Sequence, residues 1–179
     1  MAQAETALLT VAEFEKIPDP PGGHNELHHG ECVFVSAPVM EHAYIGRQLW
    51  RILDRICAGW YVDKEFAFRP LPEYEVWVAD VAMITNERWR ATDRRGWLLG
   101  YPDLVAEVLS PSNTVQETND KRRTCFQGGC NEFWVLDPNL RTIEVSTPDG
   151  QARTYAVGDE IPLDRFVSGK LTVAEVFSE

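Results

Sequence analysis

The segment from Leu104 to Lys121 constrains what this chain can fold into more than any other segment. Its first six residues, Leu104–Leu109, are apolar except for Glu107, which predicts a buried β-strand with one carboxylate inside it. A buried carboxylate is costly unless it is paired or holds a metal ion. Ser110-Pro111-Ser112 predicts the end of the strand, because proline donates no backbone hydrogen bond and restricts the residue before it.

A helix is predicted to follow this strand. Thr114 and Glu117 have the spacing of a capping box, in which the Thr hydroxyl accepts from the third helical N–H and the Glu side chain reaches back. The helix is expected to run to about Gln127 and to end at Gly128-Gly129. Lys121 then lies about two turns into the helix. The order of strand, carboxylate, turn, helix and lysine is typical of a functional site.

A second apolar strand with a carboxylate supports this interpretation. Glu75–Ile84, EVWVADVAMI, is apolar on both faces, as in a central strand of a sheet that is covered on both sides. Strand side chains alternate, so Asp80 is expected to share a face with Val76, Val78 and Ile84. Two carboxylates on separate central strands suit Mg²⁺ or Mn²⁺, and a nearby lysine could orient or deprotonate water or neutralise phosphate charge.

The charge of the chain argues against a passive nucleic-acid binder. The formal net charge is -11 over 179 residues, whereas such binders are usually basic. Two basic clusters interrupt the acidic surface, and each could be either a solvated patch or a surface that faces phosphate. The clusters consist of Arg88, Arg90, Arg94 and Arg95, and of Lys121, Arg122 and Arg123.

The remaining segments predict one domain of mixed architecture covering residues 1–179. Helices are predicted over Thr10–Ile17 and Glu41–Gly59, and strands over Trp60–Phe68 and Glu132–Asp137. Hairpins are predicted at both ends, with strands Glu26–His28 and Glu31–Ser36 near the start and strands Arg141–Thr147 and Gln151–Val157 near the end. Residues 85–101 are expected to form a polar loop or short helix, and residues 171–177 a short terminal strand or helix.

The cysteines and histidines leave one alternative open. Cys32, Cys57, Cys125 and Cys130 form no CxxC pair, and no signal peptide or membrane span is expected, so free thiols in the cytoplasm are predicted. A zinc site formed by the clustered residues His24, His28, His29 and Cys32 is a minor alternative. The adjacent His28 and His29 would point to opposite faces of a strand, which opposes it.

These segments together resemble the Uma-type putative restriction endonuclease family, a branch of the PD-(D/E)XK nuclease superfamily. The resemblance rests on EVLSPSNTVQE with a later lysine, the Gly-Gly pair and FWVLDP, and also on TVAEFEKIP, NELHHGE, VADVAMI and LTVAEVF. It implies a restriction-endonuclease-like core in which a central mixed β-sheet is flanked by helices, with the two hairpins added. It also implies divalent-metal cleavage of phosphodiester bonds.

The resemblance assigns roles to particular residues. Asp80 takes the place of the superfamily's strand aspartate, although Ala79 precedes it where the motif has proline. Glu107 takes the place of the acid of the E-x-K motif, and the main-chain carbonyl of Val108 that of the usual third metal ligand. Leu109 stands where the motif has lysine, so Lys121 on the helix is the match. Glu26 and His42 match positions that could extend the site.

Three functions are consistent with the sequence. The first is a Mg²⁺- or Mn²⁺-dependent endonuclease that cleaves DNA, and cutting of both strands would favour a homodimer. The alternative is a non-catalytic nuclease-like module for protein interaction or regulation, which the acidic charge favours. A minor option is metal-dependent hydrolysis of another phosphoester, since a fold does not determine a substrate.

Overall fold

A computed structural model describes residues 8–71, 73–110 and 114–178 of the chain. In chain order its helices and strands are α1 (Val11–Phe14), β1 (Gly23–His28), β2 (Glu31–Ser36), α2 (Met40–Ile56), β3 (Trp60–Arg69), β4 (Trp77–Thr85), α3 (Asn86–Ala91), β5 (Leu98–Leu99), β6 (Leu104–Val108), α4 (Val115–Gln127), β7 (Glu132–Asp137), β8 (Thr142–Ser146), β9 (Ala152–Ala156), β10 (Glu160–Pro162), β11 (Lys170–Thr172) and α5 (Val173–Val176).

A seven-stranded mixed sheet organises the molecule, in the order β5-β3-β4-β6-β7-β8-β9. The pairs β5–β3 and β6–β7 are parallel, and the other neighbouring pairs are antiparallel. The predicted central mixed sheet is therefore confirmed. β4 and β6, which carry Asp80 and Glu107, are adjacent strands near its middle, and Val81 pairs with Ala106.

Two hydrophobic cores lie on the two sides of this sheet. Alternate residues of β6 divide between them: Leu104, Ala106 and Val108 pack into the core that contains α2, and Val105 packs into the core that contains Cys125 of α4. The amphipathic spacing of α2 explains which face of the helix packs into the core. That face is one buried stripe formed by Ile45, Leu49, Ile52 and Leu53. The prediction of a sheet flanked by helices is confirmed.

The two predicted hairpins are present but differ in how they join the sheet. β1 and β2 form a separate two-stranded sheet, which is attached to the rest through two backbone hydrogen bonds of 2.9 Å between Leu27 and Val76. β8 and β9 extend the main sheet, because β8 pairs directly with β7 after the turn at Pro138-Asn139. The short strands β5 and β10 were not predicted, since two or three residues cannot show an alternating pattern.

Several boundaries correct the sequence predictions. α1 ends at Phe14, before the predicted end at Ile17, and α2 ends at Ile56 rather than Gly59. Both predicted capping boxes, at Thr10 and at Thr114, are confirmed. The sequence predicted a turn at residues 110–112. Residues 111 and 112 of this turn lie outside the described residues.

All four cysteines are free thiols, and Cys57, Cys125 and Cys130 are buried.

Within residues 8–71, 73–110 and 114–178, no helix is long and apolar enough to cross a membrane.

Substitution of Leu53 tests the packing of α2 on the sheet. Leu53 is fully buried in the core, so Leu53→Ala is expected to lower the free energy of unfolding by about 2–5 kcal/mol. Arg51→Ala, at an exposed position of the same helix, is expected to change it by less than about 0.5 kcal/mol. Urea unfolding measures both values, and equal effects of the two substitutions would contradict this packing.

Candidate active site

A cleft of about 1330 Å³ opens between the β1–β2 hairpin, β4 and the first turns of α2 and α4. All five side chains that the sequence singled out line it. They are Glu26, His42, Asp80, Glu107 and Lys121.

A gap beside β4 allows these residues to meet. β1 meets β4 at Val76, and β6 pairs with β4 only from Val81 onward. Backbone groups of alternate strand residues point to the same edge, so the carbonyl of Val78 faces the gap between β1 and β6. The Lys121 ammonium fills this position and donates to the Val78 carbonyl at 2.6 Å.

Lys121 also forms the central ion pair of the site. Its Nζ lies 2.8 Å from Glu107 Oε1, and both side chains are largely buried. Burial opposes the charge on Lys121, but the carboxylates of Glu107 and Glu26 outweigh it and raise the pKa of the ammonium. The neighbouring carboxylates therefore favour the ammonium form of Lys121.

Glu107 lies in an environment that disfavours its charge. Burial, opposed in part by Lys121 and reinforced by the charges of Asp80 and Glu26, raises the pKa of Glu107 above its usual value. Its Oε1 is buried and lies against the Lys121 ammonium. The site therefore has more negative charge than its one ammonium neutralises.

Asp80 is held against the end of β6. Its Oδ2 accepts the Val108 N–H at 2.7 Å and lies 3.1 Å from His42 Nε2. The His42 ring also hydrogen-bonds to the Val108 backbone. Burial opposes protonation of His42, but these contacts with Asp80 and Val108 outweigh it, so the pKa of His42 is raised.

Glu26 brings a third carboxylate from the hairpin. Its Oε2 lies 2.7 Å from His28 Nε2, and its Oε1 lies 3.3 Å from His24 Nε2. Burial favours the neutral acid, but the charge of Lys121 and the two histidine hydrogen bonds outweigh it and hold the pKa of Glu26 well below its usual range. Glu26 therefore remains ionised.

His29 belongs to a different cluster. Its ring bridges two carboxylates. Nδ1 lies 2.8 Å from Glu75 Oε1, and Nε2 lies 2.8 Å from Oδ2 of Asp120 in α4. His28, the last residue of β1, and His29, in the turn that follows, thus have different acidic partners. Among the residues that the structure describes, no three His, Cys, Asp or Glu side chains converge as a metal-binding group, and this holds for the proposed zinc cluster as well.

The donor set nevertheless fits one hard divalent cation. Mg²⁺ commonly uses one or two carboxylates and takes its remaining ligands from water and substrate phosphates. Asp80 and Glu107 provide two carboxylates, and the Val108 carbonyl would be the third protein ligand. Burial disfavours the charge of the Glu107 carboxylate, so a bound cation would stabilise this group.

The sequence left open whether the clustered arginines are solvated patches or face phosphate. No arginine lines the cleft in the described part of the chain. Arg88 pairs with Asp103, Arg122 with Glu144 and Arg123 with Asp120. The sequence hypothesis did not include the histidine pair around Glu26. The pattern His24-x-Glu26-x-His28 could have indicated it, because alternate strand residues share one face.

Comparison with known proteins identifies the class of this fold and then the family. A crystal structure titled as a putative nuclease belonging to DUF820, from Anabaena variabilis ATCC 29413, superposes with a TM-score of 0.81 at 20% sequence identity, over 95% of this chain and 98% of that one. The predicted restriction-endonuclease-like fold is thereby confirmed. The model of the Uma2 family, described as putative restriction endonuclease, matches residues 11–174. The chain belongs to the Uma2 family, as the sequence resemblance predicted. A comparison with curated proteins found no match.

The buried ion pair can be tested by removing its charges one at a time. Lys121→Met leaves the buried carboxylates unneutralised, so it is expected to lower the free energy of unfolding by about 3–5 kcal/mol. The double variant Lys121→Met, Glu107→Gln is expected to regain part of that loss, because it buries one charge fewer. Urea unfolding near neutral pH provides the comparison. Glu107→Gln alone completes the comparison. If the double variant loses as much free energy of unfolding as Lys121→Met and Glu107→Gln lose in sum, the two side chains are not coupled.

Proposed function

We propose that this protein is a Mg²⁺-dependent endonuclease that hydrolyses phosphodiester bonds of DNA. Membership of the Uma2 family supports a nuclease and hence a nucleic-acid substrate. The proposal extends this to the metal, to DNA, and to Asp80, Glu107 and Lys121 as the residues of the reaction.

One observation carries the proposal. Two carboxylates from adjacent central strands and one lysine from the following helix line the same cleft, with Lys121 in ion-pair contact with Glu107. Asp80 is held beside the same strand end by the Val108 N–H. Chains of unrelated function have no reason to bury this much charge in a cleft, since the desolvation cost is high.

The residues of the cleft divide the chemistry among them. Asp80, Glu107 and the Val108 carbonyl would hold Mg²⁺, which supplies an activated water and neutralises charge on the phosphate when it is bound. Lys121 remains an ammonium because its pKa is raised, so its role is to offset negative charge and to orient groups by donation. His42 orients Asp80 through Oδ2.

Cleavage of supercoiled plasmid by the purified protein tests the proposal. Nicking or linearisation is expected with Mg²⁺ or Mn²⁺ and is expected to stop with a chelator. Asp80→Asn and Glu107→Gln are each expected to reduce the rate at least about 100-fold, since the metal contributes several kcal/mol of transition-state stabilisation. Asp54→Asn, at an exposed position of α2, serves as the matched control and should cleave as wild type does.

The same assay can reject the proposal. It fails if wild type cleaves no DNA with either metal. It also fails if the Asp80 and Glu107 variants, purified in parallel, retain the wild-type rate, because the cleavage would then come from elsewhere.

A second function is favoured by the charge of the cleft. Among the residues that the structure describes, the lining includes eight carboxylates and one lysine. The carboxylates are Glu15, Asp19, Glu26, Glu65, Asp80, Glu107, Glu117 and Asp120. Such a lining repels a polyanion and would attract a basic partner. A non-catalytic interaction module is therefore the competing proposal.

Calorimetry separates the two proposals. The nuclease predicts saturable Mg²⁺ or Mn²⁺ binding that Glu107→Gln weakens at least about tenfold, because the ion loses one of its two carboxylates. Asp54→Asn should bind as wild type does. No heat of binding from wild type at millimolar Mg²⁺ and Mn²⁺ would favour the interaction module.

A further inference from the structure

We infer that His24 is the proton donor to the leaving oxygen of the cleaved phosphodiester, and that Glu26 and His28 position its ring. This inference rests on the proposed function, because it assigns a step of the same reaction. It names a residue outside the Asp80, Glu107 and Lys121 set.

The hairpin builds this group from one face of one strand. His24, Glu26 and His28 are alternate residues of β1, so their side chains project on the same side. The two rings contact different oxygens of the Glu26 carboxylate, at 3.3 Å and 2.7 Å. The backbone pair between Leu27 and Val76 fixes the strand against β4, and so places all three side chains in the cleft.

Burial and ring contacts together divide the roles of the three side chains. The Glu26 side chain is 5% exposed, so it can hold the rings but offers little surface to a substrate. The His24 and His28 side chains are 34% and 30% exposed, so both rings are partly open and their contacts distinguish them. His28 makes the shorter contact with Glu26, and its ring packs 5.1 Å from that of Trp77. His28 is therefore the fixed member, and His24 is the member free to reach a substrate.

The charges that face His24 favour its protonated form. Glu26 raises its pKa chiefly through their hydrogen bond, against the opposing effect of burial, and Asp19 and Glu65 add to the effect from the preceding loop and from β3. The ring therefore remains an imidazolium to a higher pH than a free histidine. An acid that titrates near the working pH is the most effective proton donor.

The other cationic groups of the site are less suited to this step. Lys121 is held by the Val78 carbonyl and Glu107, and its raised pKa makes it a poor proton donor. The His42 side chain is 13% exposed and is engaged with Asp80 and the Val108 backbone. A leaving alkoxide needs a proton. Among the described histidines that line the cleft, His24 is the most exposed, and the Glu26 carboxylate holds its ring.

The step balances as a general-acid hydrolysis. The oxygen of a water molecule forms a bond to phosphorus and releases one of its protons to solvent, while the bond from phosphorus to the leaving oxygen breaks. The electron pair of the broken bond takes the proton of the His24 imidazolium, which yields a hydroxyl end and a neutral imidazole. Solvent then returns a proton to the ring, and the Glu26 carboxylate stays ionised throughout.

The ratio of wild-type to His24→Gln turnover, measured against pH, tests the inference. The kcat for plasmid nicking is measured with Mg²⁺ from about pH 5.5 to about pH 9, a range that brackets histidine titration. At the acidic end the wild type is expected to exceed the variant by about 10²- to 10⁴-fold in kcat with little change in KM. The ratio is expected to fall as pH rises through the raised pKa of His24, because the wild-type ring then loses its proton. Taking the ratio cancels every pH effect that wild type and variant share.

Two further variants distinguish catalysis from folding. His29→Gln, the matched control, alters the neighbouring histidine whose ring contacts Glu75 and Asp120, and its ratio to wild type should stay near one at every pH. His28→Gln should lower kcat less than His24→Gln and should keep the pH dependence, because the donor remains. Urea unfolding of each variant accounts for any loss of folded protein.

The outcomes separate this inference from the proposed function. Wild-type cleavage with a His24→Gln ratio that is constant across pH would overturn the inference alone, since a merely structural role would lower the rate equally at every pH. A ratio near one throughout would overturn it as well. Absence of metal-dependent cleavage by wild type would overturn the proposed function and this inference with it.

Discussion

The buried ammonium of Lys121 is the interaction on which the cleft depends. It donates to the Val78 carbonyl, pairs with Glu107 and, through its charge, helps to keep Glu26 ionised. One cation therefore offsets carboxylates that come from the hairpin and from the central strands. Replacing it would leave several buried charges uncompensated, because no other lysine or arginine lines the cleft in the described part of the chain.

The gap in strand pairing beside β4 makes this arrangement possible. A continuous strand at this edge would satisfy the Val78 carbonyl and exclude the lysine. Because β6 pairs with β4 only beyond Val81, and β1 meets it at Val76, a side chain from α4 can enter between them. The hairpin thus has two effects, since it closes one side of the gap and also brings Glu26 with its two histidines.

The negative charge of the cleft bears on its binding of a metal ion, of a phosphate substrate and of a protein partner. A burial-raised pKa for Glu107 and an excess of carboxylates both mean that added positive charge would be stabilising. A divalent ion would provide that charge and at the same time reduce the repulsion of phosphate. A basic protein segment would provide it without any chemistry, which is why the nuclease and the interaction module compete for the same surface.

Local signals in the sequence predicted most of the strands, the capped helix and the candidates Asp80, Glu107 and Lys121, because hydrophobic periodicity and buried charge are visible in short segments. They also indicated the family. The folded chain was needed to show that β4 and β6 are neighbours, that Lys121 takes the place of a backbone partner at Val78, and that no described arginine lines the cleft. These facts depend on strand order and register, which join residues far apart in the chain and leave no local pattern.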